Sequence, residues 1–207
     1  MNKSIEKRAF TADEMRVETR DDGSKRIVGH AAVFNQLSEN LGGFREQIEP
    51  GAFDDVLDDD VRALFNHNPD HVLGRTLSKT LKIEQDKTGL RYEIDPPDTQ
   101  AARDLMVSLE RGDISQSSFA FSVGDDDWEE NDEGVIIRTI KTFKRLFDVS
   151  PVTYPAYPDA DVGLRSLEAW KQSRRPHEDR GHNDNHEQGE GMPIDMLKRK
   201  LDVEVLS

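Results

Sequence analysis

The sequence predicts an α+β domain made mostly of strands, and three observations lead there. Between residues 15 and 152, short segments that alternate apolar with polar residues are separated by turn signals. One stretch, opened by Asp98 or Thr99 and closed by Gly112, has helical spacing and a cap at each end. Past Trp170 the apolar residues nearly vanish, so residues 1–170 hold the folded domain, 171–193 form a disordered linker and 194–207 a terminal amphipathic helix.

In chain order, residues 1–25 are charged and predicted to be poorly ordered until Met15-Arg16-Val17-Glu18, the first strand. Asp21-Asp22-Gly23-Ser24 is a turn, and Arg26 to Phe34 a strand in which Gly29 and the alanines allow close packing. After the Gly42-Gly43 turn come Phe44 to Ile48 and a short helix around Gly51 to Leu57. Val61 to Phe65 is a strand that runs into Asn66-His67-Asn68-Pro69-Asp70-His71. Lys79 to Gln85 and Leu90 to Ile94 alternate around Asp86-Lys87-Thr88-Gly89, a hairpin. The capped helix places Ala101, Ala102, Leu105, Met106 and Leu109 on one face. A strand from Ile114 to Phe121 follows, then an acidic run, then one or two strands over Val135 to Ile140 and Thr142 to Val152. Pro151, Pro155 and Pro158 stop that run, and Asp161 to Trp170 forms a second helix.

Composition narrows the function classes. The 207 residues carry a formal net charge of −14, which argues against a nucleic-acid binder because phosphate neutralisation needs clustered Lys and Arg. No run approaches the ~18 apolar residues of a membrane span, and Met1 to Arg8 is too polar for a signal-peptide core. Without cysteine there is neither disulfide nor thiolate zinc site, as fits a cytosolic protein. Seven carboxylates lie between Asp125 and Glu133; they lack calcium-loop spacing and read as a solvated hairpin loop. No cofactor is called for.

The chemistry concentrates in three stretches. In Gly112-Asp113-Ile114-Ser115-Gln116-Ser117-Ser118-Phe119-Ala120-Phe121, strand alternation sends Phe119 and Phe121 to one face with Ser117, and Ser118 to the other. With the rings in the core, Ser118 offers an accessible hydroxyl on a rigid support, and Ser117 is the runner-up nucleophile. His67, at the mouth of an apolar strand, can take a hydroxyl proton near neutral pH; on this stretch alone it reads first as a polar loop residue, with metal binding alongside Asp70 and His71 a lesser alternative. Pro69 rules out the helical zinc motif there. Asp148 lies in the apolar run Arg145-Leu146-Phe147-Asp148-Val149-Ser150 and needs a donor: a histidine N–H, a backbone amide or an arginine. The order His67, Ser118, Asp148 differs from the common triad orders, but such sites are defined by geometry.

The stretches LFNHNPDHVLGR (64–75), GDISQSSFAF (112–121) and LFDVSPVTYPAYP (146–158), with RIVGHAAVFN (26–35) and FREQIEPGAF (44–53), resemble the motif blocks of the tailed-phage prohead maturation proteases. The resemblance runs from about residue 8 to about residue 170 and implies a serine protease domain with the fold of the herpesvirus assembly proteases, a β-barrel core surrounded by a few helices. It implies His67 as general base, Ser118 as nucleophile and Asp148 as orienting acid, where the herpesvirus enzymes have a second histidine in the third place. Catalysis would be acyl transfer to Ser118 followed by hydrolysis, with backbone amides beside Ser118 the usual oxyanion donors.

The implied partners are the major capsid protein with its scaffolding segment, cut inside the assembling prohead in the host cytoplasm, and the chain itself, cut in its tail. Neither nucleic acid nor membrane is expected as a partner, and the resemblance leaves room for a homo-oligomer. The alternative classes are a capsid-bound assembly or scaffold protein without catalysis, and another hydrolase such as an esterase. Residues 194–206 read either as a docking or self-cleavage element or as a helix packed on the domain. His177, His182 and His186 in the linker read as solvated residues or as metal ligands.

Overall fold

A computed structural model describes residues 5–11, 15–154 and 160–174; the predicted linker and terminal helix, and the linker histidines, lie outside the described residues. Among the described residues, ten strands and two helices follow one another as β1 (Glu6–Thr11), β2 (Arg16–Thr19), β3 (Lys25–Val33), β4 (Arg45–Ile48), β5 (Arg62–Phe65), β6 (Asn68–Arg75), β7 (Leu81–Gln85), β8 (Gly89–Ile94), α1 (Gln100–Arg111), β9 (Gln116–Glu130), β10 (Ile136–Val152) and α2 (Ala160–Ser173). The short helix expected near Gly51 is a single 3-10 turn over Asp54–Val56.

The α+β, mostly β expectation holds, but the strands do not close into a barrel. They form a six-stranded sheet, ordered β1-β9-β10-β5-β6 with β4 also on β10, and a four-stranded sheet, ordered β2-β3-β8-β7. Where β6 turns towards β7, the sheets meet through backbone bonds between Arg75 and Thr80 and between Thr80 and Asp95, not through a ladder. The reach of β10 explains the arrangement. Its upper part pairs in parallel with β4 at Ile137–Ile140, and its lower part with β5 at Asp148–Val149, so one long strand carries two short neighbours on the same edge.

Between the sheets lies one apolar cluster. Ile27, Ala31, Tyr92 and Ile94 come from the smaller sheet, Phe119, Phe121, Phe143, Leu146 and Val149 from the larger, and Ala102, Leu105 and Leu109 from α1. Phe53 stacks on Phe143 at 4.3 Å and Phe119 on Phe121 at 4.6 Å. The caps of α1 are those its sequence signals. The Thr99 hydroxyl accepts from the Ala102 N–H, and Gly112, at φ 78°, turns the chain out through a left-handed conformation that suits glycine. Gly89 is needed for closeness: a Cβ there would lie 1.9 Å from the Ala32 carbonyl oxygen. A second small cluster, Leu41, Phe44 and Leu167 with Trp128, Leu164 and Trp170, seats α2.

Two charged segments depart from expectation in the same way. Residues 6–11, predicted to be poorly ordered, form β1 along β9, with Glu6 opposite Phe121 and Ala9 opposite Ser118. Its charges are buried but paired. Arg8 bonds Glu46 at 2.8 Å and Glu6 at 2.6 Å, and Arg138 bonds Glu6 at 2.9 Å and Glu46 at 3.0 Å. Burial works to lower the Arg138 guanidinium pKa, yet the Glu46 and Glu6 carboxylates outweigh it and raise it above its ordinary value. The acidic run, predicted as a loop, is strand as far as Glu130, and only Asn131–Gly134 form the turn. Its carboxylates are drawn into the sheet by cations on β10, Asp126 by Arg138 at 2.6 Å and Asp127 by Lys141. Its Trp128 ring packs on Phe44 at 4.9 Å.

Candidate active site

Three neighbouring strands carry the site on the face of the larger sheet opposite the apolar cluster. On β9, Phe119 and Phe121 point into the core, as alternation requires, and Ser118 and Ala120 point the other way. Ser117 turns to the core as well: its hydroxyl lies 2.7 Å from the Tyr92 hydroxyl and donates to Met15 Sδ. Burial pushes the Tyr92 phenol pKa up, with the Ser117 hydrogen bond partly offsetting it, so Ser117 belongs to a neutral core pair rather than to the site.

Asp148 reaches that outer face through an irregularity. In an unbroken strand Leu146 and Asp148 would share a side. On β10, however, Leu146 pairs with Phe121 and Asp148 with Ala120, two residues against one, so Phe147 is the extra residue of a β-bulge. The bulge reverses the phase. Leu146 stays in the core, and Asp148 emerges beside Ser118, followed two residues later by Ser150, which is paired directly with Ser118.

His67 arrives from the β5–β6 hairpin. Asn66 and His67 are its two turn residues, at φ 55° and 56°, the positive pair that a tight type I′ hairpin demands. Asparagine tolerates that region, whereas histidine enters it at a cost on the order of 1 kcal/mol or more. The turn is tied to the end of β10 by three hydrogen bonds. The Asn66 N–H donates to the Pro151 carbonyl at 3.0 Å, its side-chain oxygen accepts from the Thr153 N–H at 2.8 Å, and its amide donates to the Thr153 hydroxyl at 3.2 Å. The strand that carries Asp148 thus also fixes where the imidazole stands.

The three predicted residues meet. His67 Nδ1 lies 2.6 Å from Asp148 Oδ1, and His67 Nε2 lies 2.7 Å from Ser118 Oγ. A histidine N–H is therefore the donor that Asp148 required, and the ring's two nitrogens are engaged by a carboxylate and a hydroxyl. Among the described residues no three His, Asp or Glu side chains are grouped to hold a metal ion, and His71 packs its ring near Phe65.

Two features differ from the sequence reading. Ser118, expected to be accessible, is 0 % exposed: β1 lies along β9, and the Arg8 carbonyl accepts from Ser118 Oγ at 2.9 Å. The hydroxyl has one proton and two acceptors in reach, this carbonyl and Nε2. The second feature is Ser150, whose hydroxyl donates to Asp148 Oδ1 at 2.8 Å. Its signal was its place two residues beyond Asp148, which on a strand means the same face. Asn66 carried a signal too, since Asn is the residue that turns of positive φ favour.

The family model of the caudovirus prohead serine proteases, Peptidase_S78, matches residues 12–173. Among solved structures, the capsid assembly protease gp21 of bacteriophage T4 is similar at 12 % identity and a TM-score of 0.42, over 72 % of this chain and 97 % of that one. No curated protein matches. The family match takes in both sheets apart from β1 and includes His67, Ser118 and Asp148, and with it the chain belongs to the caudovirus prohead serine proteases.

Proposed function

We propose that this protein is a serine endopeptidase that cleaves the scaffolding segment of the major capsid protein, and its own tail, inside the assembling prohead in the host cytoplasm. The protease role comes with the family. The serine mechanism is carried by one observation, the line of close polar contacts from Asp148 Oδ1 through both nitrogens of His67 to Ser118 Oγ.

In that mechanism the Ser118 hydroxyl swings its proton from the Arg8 carbonyl to His67 Nε2, and Oγ attacks the scissile carbonyl carbon. His67 receives the proton and becomes an imidazolium, which Asp148 stabilises through Nδ1–H without itself being protonated. Side-chain exposure is only 8 % at His67 and 11 % at Asp148, so this attraction is poorly screened by water. When the tetrahedral adduct collapses, the C–N bond breaks and the leaving amine takes the proton from Nε2. Water then gives a proton to Nε2 and its oxygen to the acyl carbon. The ester C–O bond breaks, and Ser118 recovers its proton from His67. The tail enters as a substrate because residues 173–192 are nearly devoid of apolar side chains, the composition proteases reach most easily.

Incubating the full chain with its own assembled capsid precursor, and identifying the fragments by mass, tests this reading. The expected result is loss of the scaffolding segment and a shortened tail, both abolished by Ser118→Ala. Undiminished cleavage by that variant would refute the serine assignment, and an intact capsid precursor would refute the substrate.

A further inference from the structure

We infer that Ser150 is a positioning residue of this site: its hydroxyl holds Asp148 Oδ1 in line with His67 Nδ1, so that the imidazole keeps Nε2 on Ser118. The inference rests on the catalytic reading of those three residues and adds a fourth that touches no reacting atom.

Ser150 is 0 % exposed and stands directly across the β9–β10 ladder from Ser118. A buried position with no polar duty is usually apolar, and the preceding residue, Val149, is apolar where it faces the core. Ser150 donates to Asp148 Oδ1 at 2.8 Å, the same oxygen that faces His67 Nδ1 at 2.6 Å, while its own oxygen lies 3.5 Å from Nδ1. Two donors therefore converge on one carboxylate oxygen. A carboxylate held by the imidazole alone could rotate about its side-chain torsion. The second donor, fixed to the same strand, removes that freedom and takes up part of the charge on Oδ1.

The groups around His67 make the electrostatic consequence definite. From β10 it faces the Asp148 carboxylate and the Ser150 hydroxyl, and from β9 the Ser118 hydroxyl, beyond which lies the Arg8 carbonyl of β1. Of the nearby charged side chains on its own hairpin, Arg62 pairs with Asp60. His71 packs against Phe65. Removing the Ser150 hydroxyl leaves more negative charge on Oδ1 for the imidazolium to face. The loosened carboxylate slows proton transfer at every pH, and the added negative charge moves the acid limb of the rate to higher pH.

The test is the rate at which a fluorophosphonate labels Ser118 in the full chain, followed across the imidazole range of about pH 5 to 8, with melting temperature measured in parallel. For Ser150→Ala, labelling at the plateau should fall about tenfold, as for loss of one hydrogen bond to a charged group, and the acid limb should move to higher pH. Ser150→Thr, which keeps the hydroxyl, should return the limb towards that of the parent even where the added methyl slows the rate. A lower melting temperature with an unmoved limb in Ser150→Ala would assign Ser150 to packing alone and overturn the inference, as would an unchanged profile. A parent chain that the probe does not label at Ser118 would instead overturn the catalytic reading, and this inference with it.

Discussion

Among the described residues stand two histidine–aspartate pairs, one per sheet, and they differ in what else their members touch. In the smaller sheet, His30 on β3 lies with Nε2 2.9 Å from Asp86 Oδ2. The other oxygen of Asp86 accepts the N–H groups of Thr88 at 2.7 Å and Gly89 at 3.0 Å, which closes the β7–β8 turn. In the larger sheet, His67 and Asp148 stand 2.6 Å apart, but here the carboxylate is held by a serine hydroxyl and the imidazole meets another. The first carboxylate secures a hairpin, and the second faces an imidazole whose other nitrogen meets the Ser118 hydroxyl. A His–Asp pair is thus no sign of catalysis by itself; at His67 it is the hydroxyl at Nε2 that adds to it.

Parallel amide substitutions should break the comparison most sharply. Asp148→Asn should cut peptide cleavage by about four orders of magnitude, because an amide that donates to Nδ1 leaves the ring in the wrong tautomer. Asp86→Asn should leave cleavage near that of the parent and instead lower stability by roughly 0.5–1.5 kcal/mol, towards the lower end because the Asp86 side chain is 35 % exposed. Cleavage assays and urea melts on both variants check this, and the division of roles fails if Asp86→Asn is the more damaging to activity.

A smaller effect should come from the turn that carries His67. Asn66→Gly keeps a residue at ease with positive φ but discards both side-chain bonds to Thr153. The chain should fold, with the imidazole less firmly placed, and lose about one order of magnitude in cleavage, since misplacement by about 1 Å can cost up to about a hundredfold. Full activity in this variant would mean that Asp148 and Ser150 position the ring without help from the turn.

What could be read in advance was what local chemistry decides. The caps and spacing of α1, the Asp86–Gly89 turn, and the inward aim of Phe119 and Phe121 all follow from neighbours in sequence. The convergence of His67, Ser118 and Asp148 was anticipated through motif blocks, not through spacing. What escaped is non-local. β1 looks like a frayed charged end until Glu46 and Arg138, far along the chain, are brought to Glu6 and Arg8. The acidic run looks like a loop until cations on β10 face it. Strand phase predicts that Asp148 shares the core side of Leu146, and only the bulge at Phe147 turns it outward. A barrel was expected by resemblance, but the strands form two sheets, the larger with β4 and β5 both on β10.

The smallest expected effect sharpens the contrast from the structural side, through pH. Burial alone would raise the Asp86 pKa, but the His30 hydrogen bond and the backbone N–H groups of Gly89 and Thr88 outweigh it and hold the carboxyl below the usual aspartate range. A carboxyl whose folded-state pKa lies below its unfolded value binds its proton more readily in the unfolded chain. Its contribution to stability is therefore complete above the unfolded value, near 3.9 for a free aspartate, and disappears as pH falls through the lower folded value. Urea midpoints for the parent should decline over that acid window, and Asp86→Asn, which has no proton to bind there, should decline less. If the two curves run parallel, the turn at Asp86 is held by its backbone bonds and not by the charge facing His30.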